Sequence, residues 1–112
     1  MTDSNNPCLF CDIKKSGCAH ENELAYASYD SYPVSEHHCL IIPKRHIKDY
    51  FDLTNEELLA CNNLIKIVKN EITNEDKTVR GFNLGTNIGK VSGQSIHHCH
   101  FHLIPRREGD VE

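Results

Sequence analysis

The chain has 112 residues, 38% of them hydrophobic and 25% charged, with a formal net charge of -4. That length holds one ordinary core, the composition is that of a globular protein, and mild acidity without a dense Lys/Arg stripe argues against a surface for polymeric nucleic acid. No apolar run approaches the roughly 20 residues needed to cross a bilayer. The polar start Met1-Thr2-Asp3-Ser4-Asn5-Asn6 lacks the basic and apolar regions of a secretory signal, so we expect one domain over residues 1–112 in the cytoplasm. Six cysteines in that setting are expected to stay reduced and available for metal.

Residues 1–7 read as a frayed start. Cys8-Leu9-Phe10-Cys11-Asp12-Ile13-Lys14-Lys15 reads as a tight turn running into a short helix. Glu23–Tyr29 alternates well enough for a strand, and His38-Cys39-Leu40-Ile41-Ile42-Pro43 is a stronger one, halted by proline. Thr54-Asn55-Glu56-Glu57 is a capping box, and Leu58, Cys61, Ile65, Val68 and Ile72 then recur at helical spacing, which predicts a long helix from Thr54 to about Asn74. Gly81–Asn87 is the next strand, followed by a glycine-rich loop and a last strand that ends at Pro105. Strands joined by short connections around one long helix imply an α+β domain with a mainly antiparallel sheet.

The last strand carries the chemistry. In His98-Cys99-His100-Phe101-His102-Leu103-Ile104-Pro105 three histidines recur at every second residue, so on a strand they share one face while Cys99, Phe101 and Leu103 take the other. Such a row has three readings: metal ligands, hydrogen-bonded structural histidines, or a nucleophilic imidazole flanked by imidazoles that neutralise phosphoryl oxygens. The preceding loop favours the third, because Gly89 and Gly93 let backbone amides approach an anion, and Asn87, Gln94 and Ser95 supply neutral hydrogen bonds. Gly85 to Lys90 is no Walker loop: its glycine spacing is one residue short, and Val91 stands where a hydroxyl would hold magnesium.

Cys8-x-x-Cys11 is a zinc half-site, and a local completion by Cys18 and His20 is open from spacing alone. Cys39, Cys61 and Cys99 read as small buried apolar residues, and His37 and His97 as pointing away from the histidine row without a catalytic role. Lys44, Arg45, Arg106 and Arg107 are expected to be solvated rather than to clamp phosphate.

Taken together, the His-x-His-x-His row, the Gly93-Gln94-Ser95 segment before it, the Asn87 loop, His38-x-Leu40-Ile41-Ile42-Pro43-Lys44-Arg45-His46 and the Cys-x-x-Cys start closely resemble the histidine triad family of nucleotide-binding hydrolases and transferases. The resemblance implies a sheet of about five strands with one long helix and a short N-terminal helix. It makes His100 the nucleophile on the α-phosphate of a purine nucleoside phosphate, with a covalent phosphohistidine intermediate. It gives His102 and Ser95 phosphate contacts and places His38 in the same hydrogen-bonded set. Asn87, Gly93 and Gln94 join the substrate-binding loop. It sets Asp30 against the ribose hydroxyls, although a turn-forming Asp in Tyr29-Asp30-Ser31-Tyr32-Pro33 is an equal reading of the residue itself.

The same resemblance implies a structural zinc held by Cys8, Cys11, His46 and His98. It also implies a homodimer. The ending His102-Leu103-Ile104-Pro105-Arg106-Arg107-Glu108-Gly109-Asp110, without tryptophan, leans toward dinucleoside polyphosphate hydrolases; the alternatives are a nucleoside phosphoramidase or a zinc-stabilised nucleotide-binding module without turnover.

Overall fold

A computed structural model describes residues 8–111, so the expectation of a frayed start at residues 1–7 lies outside the described residues. The long helix forms where its cap predicts. Thr54 is the N-cap: its Oγ1 accepts from the Glu57 amide at 3.1 Å while Glu57 Oε1 accepts from the Thr54 amide at 2.9 Å, satisfying two orphan donors at once. The helix, here α2, runs Asn55–Glu75 and buries Cys61, Leu64, Val68 and Ile72 along one stripe, with Leu58 and Ile65 partly buried at its margins.

The sheet consists of β1 (His20–Glu21), β2 (Ala25–Tyr29), β3 (Cys39–Pro43), β4 (Gly81–Gly85) and β5 (Phe101–Arg106). It is antiparallel throughout, in the order β1-β2-β3-β5-β4. β3 is apolar at every position because both of its faces are covered. Ala25, Ala27, Cys39, Ile41, Phe101 and Leu103 pack beneath α2. On the opposite face Tyr26, Leu40 and Ile42 pack against Phe10, which the N-terminal segment lays across the sheet. That segment is a 3-10 turn, Leu9–Cys11, followed by the four-residue helix α1, Ile13–Ser16, with Asp12 as N-cap. The Tyr26 hydroxyl donates to the Phe10 carbonyl at 2.6 Å and pins the turn to the sheet.

Two details correct the expectations. The histidine row is not one strand: only His102 lies in β5, while His98 sits in a bend, its amide donating to the Ile96 carbonyl at 2.9 Å, and His100 in the irregular stretch that leads into the strand. The register pairs Ile41 with Phe101, so Cys99 comes opposite Pro43, which has no N–H to continue the ladder; the Cys99 amide donates instead to the Ile47 carbonyl at 2.8 Å. The basic residues are not simply solvated either. Arg45 forks onto Glu57 through Nε at 2.9 Å and Nη2 at 2.8 Å, Lys44 pairs with Glu21, and Arg106 donates to Asn83. Arg107 makes four side-chain hydrogen bonds and is only 19% exposed. No helix among the described residues is long and apolar enough to cross a membrane.

Candidate active site and metal centre

β5 lies between β3 and β4, and this order brings His102 beside the start of β3, where His38 stands. Four imidazoles gather on the sheet face away from α2, and their hydrogen bonds fix which nitrogen carries each proton. The assignments follow from partners that can only donate or only accept. A carbonyl accepts, so His100 Nδ1 donates to the His98 carbonyl at 2.8 Å, and the neutral ring keeps a bare lone pair on Nε2. A backbone amide donates, so His38 Nδ1 accepts from Val34 N at 3.1 Å. The proton of His38 is therefore on Nε2, 2.9 Å from His102 Nδ1, which accepts it. His102 in turn carries its proton on Nε2, as a donor. One imidazole thus offers a lone pair on Nε2 and its neighbour an N–H.

Burial enforces neutrality. His38 and His100 are 2% and 5% exposed, and desolvation holds the pKa values of His38, His98, His100 and His102 below the ordinary imidazole value. The ring of Phe10 meets that of His100 edge-on, with centroids 5.0 Å apart, and supplies part of the apolar cover.

His38, His100 and His102 line a cleft of about 400 Å³ together with Phe10, Leu40, Ser95 and Ile96. Its lining is largely apolar away from the imidazoles. Asp30 also lines the cleft; its Oδ1 accepts from the Tyr32 amide at 2.9 Å, forming the local turn, and its Oδ2 lies 3.6 Å from His38 Nε2. Ser95 is exposed at the cleft and makes no hydrogen bond among the described residues. Asn87 lines an adjoining depression with His38 and His102. Gly93, with φ of 98°, occupies a left-handed position, and a Cβ there would meet Asn87 Nδ2 at 3.6 Å. The Gln94 side chain is committed to the loop itself, accepting from Gly89 N at 2.8 Å and donating to the carbonyls of Lys48 and Ile96.

A second cluster abuts the first. Cys8, Cys11, His46 and His98 bring one donor atom each within 4.8 Å of one another. His98 Nε2 donates to the Pro43 carbonyl at 2.8 Å, which leaves Nδ1 bare and turned to Cys8 Sγ at 3.3 Å, Cys11 Sγ at 3.5 Å and His46 Nδ1 at 3.1 Å. Cys11 Sγ is 3.0 Å from His46 Nδ1. Tetrahedral zinc spaces two sulfur and two nitrogen donors at roughly 3.3 to 3.8 Å, so the set fits that ion with little adjustment. The local alternative is not assembled: Cys18 Sγ donates to the His20 carbonyl at 3.4 Å, and His20 Nε2 pairs with Glu71 at 2.9 Å.

His37 and His97 stay out of the cleft. His37 faces Glu36 and Asp76, and the His97 ring lies 6.3 Å from that of His46. Cys39, Cys61 and Cys99 are buried, and burial pushes each thiol up to about 12. Sequence reasoning missed Thr86, whose Oγ1 donates to the His100 carbonyl at 2.7 Å, and it missed Phe10. The one available signal for Phe10 was its place between Cys8 and Cys11 of the Cys-x-x-Cys half-site.

Comparison with known proteins agrees with this geometry. A family model described as the HIT domain matches residues 14–109. An uncharacterized HIT-like protein of Methanocaldococcus jannaschii is 37% identical, covering 94% of this chain and 83% of that one. An adenosine 5'-monophosphoramidase of Saccharomyces cerevisiae is 34% identical over 90% of this chain and 63% of its own length. The crystal structure of a zinc-bound histidine triad family protein from Mycobacterium smegmatis superposes with a TM-score of 0.83 at 28% identity, covering 94% of this chain and 78% of that one. With a cleft of imidazoles, a cysteine–histidine cluster behind it and a family match over most of its length, the chain belongs to the HIT domain family.

Proposed function

We propose that the protein hydrolyses a purine nucleoside 5'-phosphoryl derivative at the α-phosphorus through a covalent intermediate on His100, or transfers that group to another acceptor. The observation that carries this reading is the His100 tautomer: Nδ1–H is tied to the His98 carbonyl, and the Nε2 lone pair belongs to a ring that lines the cleft. In the first step Nε2 forms a bond to phosphorus, and the bond to the leaving group breaks with its electron pair, which takes a proton from solvent. Water then attacks phosphorus and releases a proton to solvent, the N–P bond breaks, and the pair returns to Nε2. Splitting one displacement into two lowers each barrier.

His102 Nε2–H and the Ser95 hydroxyl hydrogen-bond the phosphoryl oxygens, His38 holds the His102 proton on that nitrogen, and Asn87 with the Gly93–Gln94 backbone completes the loop around the phosphate. Asp30 accepts from the ribose diol. Phe10, Leu40 and Ile96 form an apolar seat for the base. Cys8, Cys11, His46 and His98 would hold zinc as a structural ion, whose contribution is to fix the run that presents His100. Two thiolates committed to metal need a reducing compartment, which supports a cytoplasmic setting. The β4 edge of the sheet, with Leu84 56% exposed, supports a homodimer.

For the leaving group, the name of the yeast relative supports a phosphoramidate ahead of the dinucleoside polyphosphate suggested by the C-terminal residues. The test is release of AMP from adenosine 5'-phosphoramidate and from diadenosine tetraphosphate by wild type and His100→Gln. Wild type should turn over the phosphoramidate faster, and the variant should lose a factor on the order of 10³ or more. Equal rates in both proteins would remove His100 as nucleophile. Tight nucleotide binding without turnover in wild type would leave a binding module.

A further inference from the structure

The tautomer of His102 depends on His38, and among the described residues the hydrogen bond that sets that of His38 from outside the pair comes from one backbone amide, Val34 N–H, the Asp30 carboxylate lying beyond hydrogen-bond distance at 3.6 Å from His38 Nε2. What holds that amide in place lies on the far side of the turn. Residues 34–38 fold back on themselves, with His38 N donating to the Ser35 carbonyl at 3.0 Å and His37 in the left-handed region at φ 73°, a conformation that a non-glycine residue keeps only when its surroundings impose it. Among the described residues, the hydrogen bonds that tie Ser35 and Glu36 to other elements all come from Arg107. Its Nη1 donates to Ser35 Oγ at 2.7 Å and its Nη2 to the Glu36 carbonyl at 3.2 Å. The guanidinium is itself fixed by Asp76 Oδ2 at 2.8 Å and Thr78 Oγ1 at 3.1 Å, both just past the end of α2. Asp76 and Arg107 are 17% and 19% exposed, so the fork is largely covered.

We propose that Arg107 is a positioning residue for the imidazole pair: by locking the 34–38 turn to β5 and the end of α2, it sets the His38 tautomer and, through it, the N–H that His102 presents to the phosphoryl group. The proposal rests on the reading of His102 as a phosphate contact for its effect on rate, while its effect on the protons stands without it. If the turn shifts, His38 Nδ1 loses its donor and becomes free to carry the proton. His38 Nε2 then accepts from His102 Nδ1, the relay reverses, and His102 turns a lone pair toward the phosphoryl oxygens where an N–H is needed. Arg107 follows directly after the last residue of β5, the strand that carries His102, so one short segment supplies both the donor and the anchor for its orientation.

Long-range 1H–15N spectra of the histidine-labelled, metal-loaded protein without substrate test this directly. In wild type His38 and His102 should both show the Nε2–H form and His100 the Nδ1–H form. Arg107→Met should mix or reverse the forms of His38 and His102 while His100 keeps its own, and kcat on adenosine 5'-phosphoramidate should fall about tenfold with KM changed by less than about twofold. Ser35→Ala, which removes one anchoring bond and leaves the Asp76 pair, should shift both histidines the same way to a smaller extent, and it serves if Arg107→Met does not fold. Val68→Ala, a core cavity beneath α2, controls for lost stability and should lower Tm without moving either tautomer. Unchanged His38 and His102 forms in Arg107→Met or, failing that variant, in Ser35→Ala would overturn the proposal, as would equal changes in Val68→Ala. Because the spectra need no turnover, an inactive wild type would defeat the functional reading alone.

Discussion

His100 donates through Nδ1 to a carbonyl two residues earlier, and the nitrogen left bare is the one a nucleophile uses. Its burial has a defined consequence in pH. A folded pKa below the ordinary value of about 6.5 means that the unfolded chain takes up protons first as pH falls. Stability is then full above about 6.5 and declines below it, as pH moves down toward the folded values of His38, His98, His100 and His102. The same burial favours the neutral ring of His100, the proposed nucleophile, under mildly acidic conditions. The acid limb of kcat/KM should have its midpoint below 6.5, measured over a range where circular dichroism shows the fold intact; a midpoint at or above that value would contradict a buried neutral imidazole as the attacking group. At this scale the histidines could be found from spacing, whereas their protons could not. Those depend on Val34 N, the His98 carbonyl and the Pro43 carbonyl, backbone groups that no side-chain pattern records. Gln94 and Arg107 illustrate the same gap: both are polar residues near the site, yet the Gln94 side chain is spent on backbone groups and Arg107 divides its bonds between the 34–38 turn and the side chains of Asp76 and Thr78.

At the scale of elements, α2 was legible from its capping box and helical spacing, β2 from alternation, β3 from an apolar run halted by proline, and β4 from the short segment before the glycine-rich loop. β1 was not, since His20–Glu21 has no apolar alternation and exists only through pairing with Tyr26 and Ala27. The Cys8–Cys11 turn is held at two points: by Tyr26, through the Phe10 carbonyl, and by the cluster with His46 and His98. An ion held there would tie the N-terminal turn to the loop after β3 and to the run into β5. Phe10 passes that constraint to the His100 ring. Removing metal with a tight chelator should therefore lower Tm, with recovery on adding one equivalent of zinc, while turnover well below Tm falls only as the folded fraction does. Immediate loss of turnover with no change in Tm would place the metal in the chemistry and not in the scaffold.

Across the whole molecule, the sheet order decides the function. Placing β5 between β3 and β4 puts His102 next to His38 and leaves α2 to cover the opposite face, so one side of the sheet is core and the other is site. That order is not contained in any local pattern, because strands that follow one another in sequence need not pair, and β4 and β5 are separated by the glycine-rich loop. The resemblance through scattered motifs supplied what periodicity could not, and the family match over residues 14–109 agrees with it. The central claim is that catalysis runs through a bond between phosphorus and His100 Nε2. Rapid alkaline quenching during turnover of adenosine 5'-phosphoramidate, followed by peptide mass mapping, should find an adenylyl adduct on His100 that is absent from His100→Gln. Steady turnover with no adduct, or an adduct on a different residue, would contradict it.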